Sequence, residues 1–402
     1  MSQGSSRADH RKAAPAKGDE KQAWVVDYTD QQGIRRHKTF PRKKDADAWA
    51  STTTVEVSKG EHVADSATVT VKEAGEAWIS SCTADGLERT TTDGYRQHLD
   101  LHIAPFLGRT KLSQLSVPVV RNFQDKLREG NRSTEMVRRV TGSLGSLIAD
   151  ALERGQTSHN AVRDMTKRRT RGKKRQAERR RKVALKVGVD IPTPDEIRAI
   201  IENVKGRWRP LIITAIFSGL RASELRGLPW ADVDFNAKPN PVIRVTQRAD
   251  RYNKIGSPKS EAARRSIPIG VSVVNTLKEW KLACPASDLD LVFPTGAGHI
   301  EYHANMIKRG LMPPQIAAGI VDEEGKAKYT GLHALRHFYA SYCINRREDG
   351  GLGLLPQRIQ ERMGHTTLAM TTDTYGHLFE SADDSESLAE AERRLLSPVN
   401  AT

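Results

Sequence analysis

The chain has 402 residues, which is enough for two or three domains with hydrophobic cores of their own. It contains 64 lysines and arginines against 49 aspartates and glutamates, a formal charge of +15 that indicates a polyanionic partner. Cys82, Cys284 and Cys343 match no disulfide or metal-binding spacing, and no apolar run is long enough to cross a bilayer. Composition therefore argues against an exported or membrane-spanning protein, and we expect reduced thiols in a cytoplasm.

Residues 1–20 are small, polar and charged, which predicts a disordered tail. Two strand-like runs then flank a turn at Gly33, and a helical pattern follows from about Lys43 to Ser58. We interpret residues 21–65 as a small sheet-plus-helix module.

The second predicted strand of this module is basic. Its cations are Arg35, Arg36 and Lys38. Two roles are possible: these cations contact DNA phosphates, or they lie on a solvated edge strand and prevent it from pairing with other sheets. The strand alone favours neither, so we keep both.

An all-helical domain is predicted over residues 66–165. It opens with Thr70 and Glu73, the spacing of a capping box in which each side chain satisfies a backbone amide at a helix start. Basic side chains occur on several of its helical faces. The helical patterns cover residues 74–81, 90–103, 117–128 and 134–154.

Residues 166–189 form a basic linker. Between positions 167 and 182 the chain has eleven lysines and arginines and one glutamate. Such a run is normally solvated, but it also gains affinity for DNA by releasing counterions from the backbone. We therefore name Lys173, Lys174 and Arg175 as candidate DNA contacts.

A third unit begins at a second capping box, formed by Thr193 and Glu196. The apolar run 211–217 predicts a buried helix, and Arg221 and Glu224 follow it directly. One interpretation is a surface ion pair worth a few tenths of a kcal/mol. Beside so apolar a run, an arginine is better explained by an anionic partner such as a phosphate, with Glu224 orienting the guanidinium.

Two strand-like segments, at residues 242–245 and 266–269, predict a β-hairpin with a long polar tip. The cations of the tip include Lys254, Lys259, Arg264 and Arg265. The lysines are candidate proton donors, with Lys259 preferred over Lys254, and the two arginines are candidate DNA contacts.

The segment 331–377 carries His333, Arg336, His365 and Tyr375. These are a guanidinium to bind phosphate, imidazoles to move protons and a phenol to attack, a set that suits phosphate chemistry without a metal. His333 and His337 also have the i, i+4 spacing of a helical metal site. Position 334 is alanine, however, where a zinc protease carries its glutamate, and no third ligand has a convincing spacing.

Four sequence blocks, SGLRASELRGLPWADVD, SPKSEAARRSIPI, GLHALRHFYAS and ERMGHTTLAMTTDTYGHL, resemble the tyrosine recombinase (phage integrase) family in order and spacing. The resemblance covers a catalytic domain at residues 190–385, and residues 66–165 and 21–65 resemble the family's core-site-binding and arm-binding domains. It implies that Arg221 and Arg336 grip the scissile phosphate and that Tyr375 is the nucleophile. It also implies catalytic roles for Lys259, His333 and His365, with Glu224 and Lys254 in support.

The fold class that follows is mainly α with small β elements, an α+β arrangement. The resemblance implies an integrase that cuts and rejoins DNA through a 3′-phosphotyrosine bond, with no cofactor, metal or ATP, to integrate or excise a mobile element. The implied partners are double-stranded attachment sites and three further copies of the chain, with an excisionase or a host DNA-bending protein as further candidates. The implied location is the bacterial cytoplasm, on the nucleoid.

Two alternatives stay open: a dimer resolvase or topoisomerase-like strand passer, and a DNA-binding regulator without catalysis. Beyond Tyr375, residues 386–402 predict a C-terminal helix with an apolar stripe. That stripe would pack on its own domain or, as the resemblance implies, on a neighbouring protomer.

Overall fold

A computed structural model describes residues 9–12, 23–30, 33–58, 62–64, 68–169 and 185–379 of the chain. The chain divides into two compact units, with the boundary between Lys173 and Lys174 inside the predicted linker. In the described ranges, no helix combines the length and the apolar character needed to cross a membrane. Lys173, Lys174, Arg175 and the predicted C-terminal helix lie outside the described residues.

The first unit begins with a small antiparallel sheet in the order β1 (Asp9–Lys12), β2 (Trp24–Thr29) and β3 (Arg35–Phe40). Helix α1 (Lys43–Ser58) packs on it around Val26, as the sequence predicts. The prediction of a disordered tail is wrong for residues 9–12. They add a third strand because the free edge of β2 offers unpaired backbone donors and acceptors.

The cations of β3 lie on two different faces, because successive side chains of a strand alternate. Arg35 is on the outer face and its side chain is 72% exposed. Arg36 lies on the inner face and pairs with Asp30 at 2.6 Å, and Lys38 lies over the ring of Trp49 on α1. DNA contact by these cations stays a prediction: Arg35 is exposed although it pairs with Asp27 at 3.4 Å, whereas Arg36 and Lys38 have their partners on the inner face of the module.

The helical domain of the first unit follows the predicted pattern. The capping box of Thr70 and Glu73 is present, with the Glu73 carboxylate accepting from the Thr70 amide at 2.8 Å. The helix predicted to continue to residue 103 instead changes to a π-helical turn at Leu99–Ile103. The α-helices are α2 (Val71–Ala84), α3 (Arg89–His98), α4 (Ala104–Leu107), α5 (Val117–Glu129), α6 (Thr134–Glu153) and α7 (Ala161–Arg169).

The second unit combines helices with two small sheets. One sheet has the order β4 (Val233–Asp234), β5 (Val242–Val245) and β8 (Arg265–Pro268), all antiparallel. The other is the two-stranded hairpin β6 (Arg248–Ala249) and β7 (Ile255–Gly256), which lies within the connection from β5 to β8. The predicted hairpin is therefore present, with its second strand beginning one residue earlier than expected.

Helix α9 has an exposed arginine, Arg209, in its first turn, and from Pro210 onward it is almost wholly buried, as expected for a central helix. It contacts α11 and α14. The helices are α8 (Pro194–Asn203), α9 (Trp208–Ser218), α10 (Ala222–Arg226), α11 (Val271–Ala283), α12 (His303–Asn305), α13 (Met312–Ala317), α14 (His333–Ile344), α15 (Pro356–Met363) and α16 (Leu368–Tyr375).

Candidate active site

The C-terminal end of α15 is the centre of a cluster of arginines. Helix ends leave carbonyl oxygens without partners inside the helix, and their partial negative charge attracts cations. Here three consecutive carbonyls accept from three guanidiniums. Arg265 donates to Arg362 at 2.7 Å, Arg336 donates to Met363, and Arg221 donates to Gly364 at 2.9 Å.

Arg336 comes from α14 and is 3% exposed. Besides Met363, it donates to the carbonyl of Gly219, the residue that ends α9 in the left-handed conformation. Burial, then the positive charges of Arg221 and Arg265, lower the pKa of its guanidinium to about 9. Arg336 therefore still carries its charge at neutral pH.

Arg221 immediately precedes α10 and is the more accessible guanidinium, with its side chain 32% exposed. It donates to Oε1 of Glu224 at 2.8 Å, while Oε2 of the same carboxylate accepts from the Arg221 amide at 2.9 Å. The expected pairing of Arg221 and Glu224 is thus present, and it is not the surface ion pair of the simpler interpretation, since Glu224 is 3% exposed.

Glu224 has a second and better partner in Arg265, through two hydrogen bonds of 2.8 and 3.1 Å. Burial raises the pKa of the Glu224 carboxyl, but the hydrogen bonds and charge of Arg265, with the charge of Arg221, bring it down to about 2. Glu224 is therefore ionised and holds two guanidiniums at once.

This arrangement corrects the prediction that Arg265 contacts DNA. Its side chain is 5% exposed, and its guanidinium donates to Glu224, Ala263 and Arg362. Strand alternation on β8 directs it inward. The neighbouring Arg264 is exposed, with its side chain 46% accessible, and it keeps its candidate role.

Tyr375 ends α16 and is 2% exposed. Its hydroxyl lies 2.8 Å from Nδ1 of His337. Burial raises the pKa of the phenol to about 12, although the charges of Arg336 and Arg221 act in the opposite direction. The phenol is therefore protonated at neutral pH and needs help to become a nucleophile.

The sequence pattern offers His337 as a metal ligand with His333 and does not predict its contact with Tyr375. The i, i+4 spacing correctly places both histidines on one side of α14, where their rings meet edge to face at 5.2 Å. No sequence signal could have revealed a partner 38 residues away. Across the ranges that the structure describes, no group of three or more potential ligands could hold a metal ion.

His365 follows Gly364, whose left-handed backbone ends α15. Its Nδ1 lies 2.9 Å from the hydroxyl of Thr371, which leaves Nε2 directed elsewhere, and its ring stacks on Tyr375 with a centroid distance of 6.3 Å. Burial, then the charges of Arg336 and Arg221, lower the pKa of His365 to about 4. The imidazole is therefore neutral at physiological pH.

His333 is the first residue of α14 and is reached by solvent. The surrounding protein nevertheless desolvates the ring enough to lower its pKa, and Arg336 and Arg221 add to that effect. His333 lies one helical turn from Arg336, so both side chains lie on the same face of α14.

The lysines lie in the connection between β5 and β8. Lys254 precedes β7 at the tip of the small hairpin, Lys259 follows β7, and both are exposed. The turn of this hairpin is held by Arg226, a buried arginine that donates to the carbonyls of Asp250 at 2.8 Å and Glu301 at 2.6 Å. Sequence reasoning missed this anchor.

Arg221, His333, Arg336, His365 and Tyr375 thus come together in the second unit from α10, α14, α15 and α16. Two guanidiniums beside a buried phenol suit an anion that is to be attacked, since they attract a phosphate and stabilise charge that builds on its oxygens.

Comparison with known proteins gives two matches to family models. Residues 192–381 match the phage integrase family, and residues 70–128 match the N-terminal SAM-like domain of phage integrases. A tyrosine recombinase XerC-like protein of Caldanaerobacter subterraneus subsp. tengcongensis is 24% identical over 304 residues, which cover 69% of this chain and 72% of that protein.

Two solved structures share the fold. The integrase of the Tn1549 transposon, in complex with a circular intermediate DNA, gives a TM-score of 0.61 at 20% identity, over 81% of this chain and 100% of that one. A lambda integrase tetramer bound to a Holliday junction gives 0.53 at 14% identity, over 85% and 93%.

Proposed function

The chain belongs to the phage integrase family of tyrosine recombinases, and from that premise we propose a role for each residue of this site. The protein is a site-specific DNA recombinase that cuts and rejoins DNA, and it acts in the integration of a mobile element. The observation that carries the assignment is the convergence of Arg221 and Arg336 on the buried phenol of Tyr375.

Arg221 and Arg336 bind the scissile phosphate. A DNA phosphodiester resists attack because it is anionic, so the site must neutralise charge before a nucleophile approaches. The guanidiniums now donate to carbonyls at the end of α15. Phosphate oxygens are stronger acceptors than carbonyls, and a charged, bidentate contact compensates for leaving them.

Glu224 and Arg265 act behind this pair. Because both are buried and tightly bonded to one another, they form a fixed support that keeps the guanidinium of Arg221 in place. A fixed guanidinium loses less side-chain freedom on binding and is better placed to stabilise the transition state.

Tyr375 attacks the phosphorus. Its oxygen forms a bond to phosphorus, the bond to the 5′ oxygen breaks, and the chain keeps a phosphotyrosine bond to the 3′ end of one strand. The departing 5′ oxygen needs a proton, and Lys259, or Lys254 as the less favoured candidate, supplies one. His333 and His365 donate hydrogen bonds to the phosphate from the two sides of the arginines.

The phosphotyrosine bond conserves the energy of the phosphodiester, so the 5′ hydroxyl of a second strand attacks it and reseals the DNA without ATP. Exchange between two duplexes needs four cleavages, and the working assembly is a tetramer of this chain on DNA. An excisionase or a host DNA-bending protein sets the direction of the reaction. The protein therefore works where its DNA is, on the nucleoid in the bacterial cytoplasm.

The exposed cations extend the contact with DNA beyond the scissile phosphate. Arg35 on the outer face of β3 and Arg264 beside β8 are accessible for phosphates. Lys173, Lys174 and Arg175 belong to a run dense enough in charge to release counterions when it meets a duplex.

A covalent complex tests this function. Wild type and Tyr375→Phe are incubated in EDTA with nicked DNA from a repeat that flanks the encoding element, and then denatured in SDS. A protein–DNA band in wild type and its absence in the variant are expected. A band in both would show that another residue attacks. Binding without a band in either would favour a DNA-binding regulator.

A further inference from the structure

The hydrogen bond between Tyr375 and His337 suggests where the phenol proton goes. We propose that His337 is the catalytic base that takes the proton of Tyr375 during DNA cleavage and returns it during resealing, an inference that rests on the recombinase function proposed above. His337 qualifies as catalytic because its Nδ1 touches the reacting atom, at 2.8 Å.

The position of His337 on α14 supports this role. It is adjacent to Arg336 and one turn after His333, so the base lies on the same helix as two groups that face the phosphate. Tyr375 is 2% exposed, so bulk water has little access to the hydroxyl. A proton leaving the phenol must therefore pass to a neighbouring side chain.

His365 also lies near Tyr375 but is less suited to this task. Its ring lies parallel to the phenol ring at a centroid distance of 6.3 Å, and the hydrogen bond to the Tyr375 hydroxyl is made by His337. The Nδ1 of His365 is already paired with Thr371. His337 approaches Tyr375 at 62° between the rings, with Nδ1 toward the hydroxyl.

The electrostatic surroundings of His337 leave its ring able to accept a proton. Burial, then His333 and Arg336, lower its pKa to about 4, against a weaker opposing effect of Asp190. The ring is therefore neutral at physiological pH, and with its own proton on Nε2 it presents a lone pair on Nδ1. The phenol keeps its proton in the free protein, because its pKa is about 12.

DNA binding should favour transfer of the proton from Tyr375 to His337. A phosphate between Arg221 and Arg336 offsets the positive charge that disfavours protonation of His337. The proton then moves from the Tyr375 oxygen to Nδ1 as that oxygen bonds to phosphorus and the 5′ oxygen departs with the electron pair of its bond. In resealing, the imidazolium protonates the tyrosine oxygen as it leaves.

Two variants of His337 and a modified DNA substrate distinguish a role as proton acceptor from a role in positioning the phenol. His337→Ala removes the group, and His337→Asn keeps a hydrogen-bond acceptor that cannot take a proton. Cleavage is measured on DNA with the natural 5′ oxygen and on DNA with sulfur in its place, because a thiolate leaves without protonation. Lys259→Ala is the matched control, since it acts on the leaving group.

Both His337 variants should form the covalent complex at least about 100-fold more slowly, and sulfur should not rescue them. Their rates should rise with pH, as hydroxide replaces the missing base, while the wild-type rate stays level from pH 6 to 9. Lys259→Ala should recover on the sulfur substrate.

Three results would overturn the role of His337: a rate within about 3-fold of wild type in the alanine variant, recovery in the asparagine variant, or rescue by sulfur. Recovery with asparagine would mean that His337 only positions the phenol. Failure of the recombinase function is distinguished by wild type itself, which would then form no complex with either substrate.

Discussion

The carboxylate of Glu224 accepts two hydrogen bonds from the guanidinium of Arg265, at 2.8 and 3.1 Å, and the two side chains are 3% and 5% exposed. Such paired, charged hydrogen bonds are among the strongest in proteins. Their position directly behind Arg221 links a buried ion pair to the group that would bind the phosphate. The integrity of this pair should therefore matter for both folding and cleavage.

Arg265→Ala should lower the free energy of unfolding by about 3 kcal/mol or more, because it leaves the buried charge of Glu224 with only Arg221 to balance it. It also removes the donor to the Arg362 carbonyl at the end of α15. Urea unfolding followed by circular dichroism measures the change.

The adjacent Arg264→Ala is the matched control, since its side chain is 46% exposed. It should change the free energy of unfolding by no more than about 0.5 kcal/mol, while reducing the salt dependence of DNA binding. Equal stability losses in the two variants would contradict the conclusion that Arg265 is buried and structural while Arg264 is exposed.

The stability of the second unit should depend on pH through Glu224. Its pKa is about 2 in the folded protein against an ordinary value of 4.5. A depressed carboxyl pKa contributes stability that is present above the ordinary value and lost as pH falls through the folded one. That contribution is on the order of 3 kcal/mol.

Glu224→Gln removes the titrating group and so isolates the contribution of Glu224 to the free energy of unfolding. The difference in unfolding free energy between wild type and variant should be largest above pH 5 and should shrink steadily toward pH 2. A difference that stays constant over that interval would mean that Glu224 is not the source of the acid sensitivity.

Gly219→Ala should be strongly destabilising. Gly219 has a φ of +60°, and a Cβ there would lie 2.3 Å from a ring carbon of Tyr339. The backbone would have to move, taking with it the carbonyl that accepts from Arg336. We expect a loss of at least about 2 kcal/mol together with slower cleavage.

Gly296→Ala provides the comparison, because no atom lies within 4 Å of a Cβ at that position and its φ is not positive. Its melting temperature should stay close to that of wild type. If the two glycine variants melt together, the contact with Tyr339 is not what requires glycine at position 219.

Thr371→Val tests how His365 is oriented. Valine keeps the volume of this fully buried side chain but cannot pair with Nδ1 of His365. The imidazole should then lose its fixed tautomer, and covalent-complex formation should fall by about 10-fold or more with little change in DNA affinity.

Thr372→Val, on the same helix but exposed, should cleave like wild type. A loss of equal size in both valine variants would point to damage to α16 rather than to the histidine.

The family resemblance and most helix boundaries were predictable because they depend on local sequence patterns. The two capping boxes at Thr70 and Thr193, for example, need only residues three apart. Their side chains bond to nearby backbone amides whatever the rest of the chain does, so sequence spacing alone determines them.

Features that depend on long-range packing were not predictable. Arg264 and Arg265 are adjacent and chemically identical, and Arg265 is the buried one because its guanidinium meets Glu224 and the C-terminal end of α15. In the same way, the partner of His337 is set by how α16 returns to α14. β1 was missed because its polar residues gain strand structure from pairing with β2, not from their own pattern.

The central claim is that the oxygen of Tyr375 attacks the DNA phosphate, and the most direct test is to locate the covalent bond. Wild-type protein is trapped on nicked DNA in EDTA, digested with trypsin and nuclease, and the nucleotide-modified peptide is sequenced by mass spectrometry. We expect the modification on Tyr375, with a free 5′ hydroxyl on the released DNA end. Modification of any other residue, or a 5′ phosphate on the released end, would contradict the account.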